Sequence, residues 1–181
     1  MSATSMPGLD ISSRVRARDI QMAGVADIRR RVLMISGAID TTDHHISVCV
    51  NLPEPGRWQV IKSETNLTDQ TWVAIQAITD EETTFVNDGD NAIMSRQFAK
   101  TFMTPDQRRL TFYDGEVRPG ESLLKAYTIE TTARRPTYTH SQYSPITEDS
   151  AETASKLNQV ITDGLPSRPV IELIVPVTVI G

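Results

Sequence analysis

The sequence predicts a mainly β protein, an antiparallel sandwich or barrel, with two packed helices and an extended N-terminal arm. Three observations carry this expectation. Short runs between Arg31 and Val86 alternate apolar with polar residues, the period-2 pattern of half-buried strands, and turn-forming residues separate them. The final stretch, Arg168 to Gly181, has an aliphatic residue at every odd position from Ile171 to Val179. Residues 1–31 show neither pattern and hold six arginines. The expected division is a basic arm over residues 1–31 and one β-rich domain over 32–181, with helices near 91–102 and 148–163.

Within the arm, Ile11, Val15 and Ile20 are spaced as in a broken helix that Gly24 interrupts, so order is expected to come from a partner surface. Strands follow at Arg31–Ser36, Ile46–Val50, Trp58–Ile61, Trp72–Ile78 and Thr83–Val86. Leu52-Pro53-Glu54-Pro55-Gly56 is a rigid turn between two of them. After Asn87-Asp88-Gly89, Asp90 or Asn91 is placed to cap a helix whose stripe is Met94, Phe98 and Phe102. Leu110–Tyr113 and Leu123–Thr132 read as strands, and Thr131–Ser150 as a long polar loop. Thr147 or Ser150 then caps a second helix with Ala151, Ala154, Leu157 and Ile161 on its inner face, stopped by Gly164.

The last strand is the most informative. Eleven extended residues reach roughly 36 Å, and Pro176 cannot donate to a ladder, so the strand lies at an edge or bulges there. Val170, Ile171, Leu173, Ile174, Val175, Val177 and Val179 are the expected self-association residues, joined by Ile11, Val15 and Ile20 of the arm. The expected core is Val48, Val50, Trp58, Val60, Trp72, Ile75, Phe98, Leu157, Leu173, Val175 and Val177.

Charge is unevenly spread. Arg14, Arg16, Arg18, Arg29, Arg30 and Arg31 with three aspartates give residues 1–31 a sum of +3, which leaves −8 on the other 150 residues of a chain whose net charge is −5. Those arginines can meet nucleic acid or, equally, the acidic body of a neighbouring copy. Cys49 is alone, which excludes an intrachain disulfide. There is no apolar run of about 18 residues and no signal-peptide core, so neither a membrane span nor signal-directed secretion is expected.

Candidate chemistry is sparse. Asp40, Asp43, His44 and His45 are the densest group of potential metal ligands, with His140 as a third histidine. Adjacent histidines on an extended segment point to opposite faces, so a solvated turn is the plainer reading and no metal or cofactor is assigned. Asp88-Gly89-Asp90 has Ala99 where a calcium loop needs its last carboxylate, and no P-loop or nucleophile elbow is present. In outline, the arm Arg14–Arg31 and the final strand Val170–Ile180 make the chain resemble small virus and phage particle proteins, either coat subunits or tail tube and connector subunits. That resemblance implies a non-catalytic subunit that assembles with many copies of itself, in a virion or in host cytoplasm. The alternative is a small metal- or ligand-binding β-barrel enzyme using the Asp40–His45 turn.

Overall fold

Alternating sequence becomes alternating burial in the computed structural model, which describes residues 20–89, 92–145 and 149–181. The first strands are β1 (Ile20–Asp27), β2 (Val32–Ile39), β3 (His45–Val50), β4 (Gly56–Asn66), β5 (Ala74–Thr79), β6 (Thr83–Phe85) and β7 (Met94–Ser95). Then come β8 (Phe98–Met103), β9 (Arg109–Gly115), β10 (Ser122–Thr131), β11 (Thr137–Tyr143), helix α1 (Ser150–Asp163), β12 (Val170–Val175) and β13 (Val177–Ile180). Seven strands form one sheet, in the order β13-β1-β2-β4-β10-β6 with β7 also on β10; six form the other, in the order β12-β3-β11-β5-β9-β8. Both end in edge strands, so neither closes into a barrel. One core fills the space between them, drawing Leu33, Trp58 and Val60 from the first and Val48, Ile75 and Leu173 from the second.

The sheets are mixed, where antiparallel pairing was expected. Three pairs are parallel: β1 with β13, β2 with β4, and β3 with β12. The chain changes sheet repeatedly, and this produces the parallel pairs. Leaving β2, it forms β3 in the opposite sheet and returns as β4 alongside β2, the crossover that parallel neighbours require.

Four further expectations are corrected. No helix forms over residues 92–102, which supply β7 and β8, leaving α1 as the one helix among the described residues; the expected caps Asp90 and Asn91 lie outside them. A spacing of four residues satisfies a strand as well as a helix, because Met94, Phe98 and Phe102 are all even-numbered; pairing of Phe98–Met103 with β9 decides the case. The polar loop 131–150 contains β11, a strand with neighbours on both sides in the six-stranded sheet. The arm is strand from Ile20 onward: β1 pairs with β2 along its whole length, and Ile20 is only 3% exposed. Ile11, Val15, Arg14, Arg16 and Arg18 lie outside the described residues. Finally, the long C-terminal strand is two strands. Pro176 is the corner between them, its carbonyl accepting from Gly24 N at 2.8 Å, and each half edges a different sheet.

Nine of the eleven expected core residues are buried in the shared core; Val177 packs on its margin, and Leu157 joins a satellite cluster with Ala74, Tyr143 and Val160. Helix α1 is capped by Asp149, whose carboxylate accepts from Glu152 N at 3.0 Å, and it buries Val160 and Ile161. Ala151 and Ala154 are exposed instead of facing the sheet.

Gly37 sits opposite Met22 in the β1–β2 ladder, and a Cβ there would overlap the Gln21 carbonyl oxygen and approach Met22 Cγ to 2.7 Å. Gly37→Ala is therefore expected to lower stability by about 1–3 kcal/mol, the usual cost of overpacking. The urea midpoint measures it.

Candidate functional site

Strand β4 keeps one face inward along its whole length, burying Trp58, Val60, Lys62, Glu64 and Asn66 in turn. The alternation that seats two apolar residues thereby carries an ammonium and a carboxylate into the core. On β10 the phase that buries Leu123 and Tyr127 also buries Lys125. From the facing sheet, β11 contributes Tyr138, His140 and Gln142. Register places Lys62 directly opposite Lys125, with Glu64 opposite Leu123. Like charges directly opposite on paired strands repel. Glu64 is the carboxylate that answers both.

The geometry is tight. Lys62 Nζ lies 3.0 Å from Glu64 Oε2, Lys125 Nζ 3.2 Å from Oε1, and His140 Nδ1 3.5 Å from Oε2. All four side chains are 0% exposed. The two ammonium groups thus share the single carboxylate, one on each oxygen. Aromatic faces take up part of the remaining positive charge, Tyr138 lying 4.1 Å from Lys62 Nζ and Phe112 5.7 Å from Lys125 Nζ. His140 Nε2 is 3.1 Å from Gln142 Oε1, and the Gln142 amide donates to Thr41 O at 2.9 Å. That chain makes Nε2 the protonated nitrogen and turns the Nδ1 lone pair toward the charges.

Burial and charge pull these groups in different directions. Burial works against the Glu64 carboxylate, but Lys125 and Lys62 outweigh it and hold the carboxyl ionised, well below the usual range. Burial pushes Lys125 down to about 8 against the pull of Glu64. His140 is pushed down to about 3, again chiefly by burial, so its ring is neutral at physiological pH. Burial also raises the phenols of Tyr127 and Tyr138.

The residues expected to act are placed differently. Ile171, Leu173 and Val175 point into the core, whereas Val170, Ile174 and Val179 are 41%, 43% and 51% exposed. Val177 is half-buried and Ile20 belongs to the core. Arg29 and Arg30 are exposed at the β1–β2 turn, where Asp27 Oδ1 accepts from both their backbone N–H groups. Arg31 is engaged within the chain: it pairs with Glu54, donates to Pro55 O at 2.7 Å and stacks 4.6 Å from the Trp58 ring.

The Asp40–His45 turn and His140 do not converge. His140 stands opposite Ile46 in the β3–β11 ladder and faces the core with it. His45 takes the other face of β3, with Nδ1 2.5 Å from Ser141 Oγ and Nε2 3.1 Å from Pro166 O. Among the described residues no group of three or more His, Cys, Asp or Glu is arranged to hold a metal ion. No helix among them is long and apolar enough to cross a membrane.

The buried cluster escaped the sequence reading although a signal existed. Lys62 and Glu64 continue the phase of Trp58 and Val60, and Lys125 is in phase with Leu123 and Tyr127. Read strictly, the period puts all three charges inside. The chain has only four lysines, so the core takes half of them.

Residues 22–181 match the model of a family of unknown function, DUF6423, and the chain belongs to that family. The match starts inside β1 and runs through β13, so it spans both sheets and every residue of the cluster. No curated protein and no solved structure matches the chain.

The neutral His140 makes the fold sensitive to acid. Its folded pKa is depressed to about 3 from the ordinary 6.5, so between those values the unfolded chain binds a proton that the folded chain refuses. Stability is therefore fully present above pH 6.5 and falls as pH drops through that window, by about 1.4 kcal/mol per unit of pKa difference. Urea midpoints recorded from pH 7 to 4 should show the decline. His140→Gln should flatten it.

Proposed function

We propose that the protein is a structural subunit that assembles with further copies of itself, performs no catalysis, and uses the side of the molecule built by β12 and β13. One observation carries this reading. Both sheets end on that side in strands whose outer ladders are unpaired among the described residues, and apolar Val170, Ile174, Val179 and Ile180 are exposed along them. Isolated soluble domains blunt such edges with charge, proline or a covering element. Pro176 and Glu172 do so here only in part.

The occupant that fits is a second copy. Strand addition pairs backbone with backbone and needs no special side chain, so an edge that accepts one strand can accept its own counterpart. Charge supports head-to-tail arrangement, because Arg29 and Arg30 sit exposed at a turn, Arg30 paired locally with Asp27, while residues 32–181 carry the −8. Contacts of that kind close into rings or extend into tubes and shells according to the rotation between copies. A virus or phage particle component, coat or tail, is the setting this reading takes from the outline resemblance, with a virion or host cytoplasm as its place. Opposite facing of His45 and His140 weighs against the metal-binding alternative.

Light scattering and electron microscopy of the purified chain test the proposal. Assembly that grows with concentration is expected, and Ile174→Lys combined with Val179→Lys should shift the population to monomer while the far-UV spectrum stays β-rich. A uniform monomer at all concentrations, without rings, tubes or shells, overturns it.

A further inference from the structure

We propose that Lys125 and Glu64 close an isopeptide bond, an amide between Lys125 Nζ and Glu64 Cδ that stitches β10 to β4 inside the core. This is chemistry within one chain, independent of whether copies assemble. The reacting groups are already in contact, Nζ lying 3.2 Å from Oε1, and both side chains are 0% exposed. Packing holds them there, since β4 and β10 pair in continuous register from Gly56↔Thr131 to Thr65↔Ser122. Fixed proximity raises the effective concentration of the amine at the carboxyl, the more so the better Nζ is aligned on Cδ.

The balance is simple. Glu64 is held ionised, so the first step is uphill: the Lys125 ammonium passes one proton to the Glu64 carboxylate, the neutral amine then attacks Cδ, and the C–O bond to Oε2 breaks. Oε2 departs as water, carrying the proton from the carboxyl and a second one from the attacking nitrogen. An ammonium and a carboxylate become one amide and one water, with no oxidant, reductant or activating cofactor. The exchange removes the charged Lys125–Glu64 pair and leaves Lys62 as the remaining buried charge, over the face of Tyr138 at 4.1 Å. Lys62 Nζ, 3.0 Å from Oε2, stabilises charge on the departing oxygen, and the neutral His140 ring presents its Nδ1 lone pair 3.5 Å from the same atom, placed to relay the proton.

Intact-mass spectrometry of the folded full-length chain decides the matter. The expected mass is lighter than the sequence mass by one water. Digestion should then yield a single branched species joining the peptide of Lys125 to that of Glu64, which separates this loss from a succinimide at Asp88-Gly89, Asp114-Gly115 or Asp163-Gly164. Lys125→Arg should restore the full mass. A wild-type chain at full mass, a water loss mapped elsewhere, or a light Lys125→Arg chain each overturns the proposal. Should the variant fail to fold, the wild-type mass and the branched peptide still decide it.

Discussion

The buried charges of this protein are arranged around one carboxylate. Lys62 and Lys125 are opposite each other on adjacent strands, and without Glu64 two ammonium groups would face each other in a sealed core. That requirement acts on register together with the surrounding apolar residues, which share its phase. Sliding β10 by one residue against β4 would turn Lys125 to the outer face and leave Glu64 with Lys62 alone. It also fixes how the sheets face, since His140 and Tyr138 reach the same charges from β11. A buried ionic group of this kind is weak evidence for stability but a good device for specifying one arrangement among several apolar ones.

The route of the chain follows from a second constraint. Because it keeps changing sheet, neighbours in sequence seldom lie side by side, and the pairs that do form include three parallel ones. Pro176 completes the scheme. Lacking an N–H, it suits a place where one ladder has ended and the next has not begun, and there the chain leaves β12 in one sheet and enters β13 in the other. The corner gives both sheets their edge on the same side, which is why apolar residues from two ladders gather there.

Much of the β architecture was legible in residue order, and the failures have physical causes. Strands with apolar inner faces, such as Ile46–Val50 and Leu123–Thr132, announced themselves by period. β11 did not, because its inward residues are Tyr138, His140 and Gln142, and polarity there hides the alternation. Met94, Phe98 and Phe102 misled because multiples of four serve helix and strand alike, and only pairing with β9 distinguishes them. Ile20–Asp27 looked like an arm because Gly24 and Ala23 give it little bulk, yet a strand between two partners needs little bulk to hold its place. The exposed apolar edge was visible as a pattern; the charge cluster was visible only to a reader willing to carry a strand's phase through a lysine and a glutamate.

The parallel pairing of β1 with β13 has a mechanical consequence. The chain enters β1 at Ile20 and leaves β13 at Ile180, and the two strands run side by side in the same direction from Gly24↔Val177 to Asp27↔Ile180. Tension applied between the chain on the N-terminal side of Ile20 and Gly181 therefore pulls these neighbours along their own axes, in shear, and the hydrogen bonds between them bear the load together instead of opening one after another. Resistance of that kind depends on the rate of rupture rather than on equilibrium stability. A short ladder at the edge of the fold thus acts as a clamp against stretching.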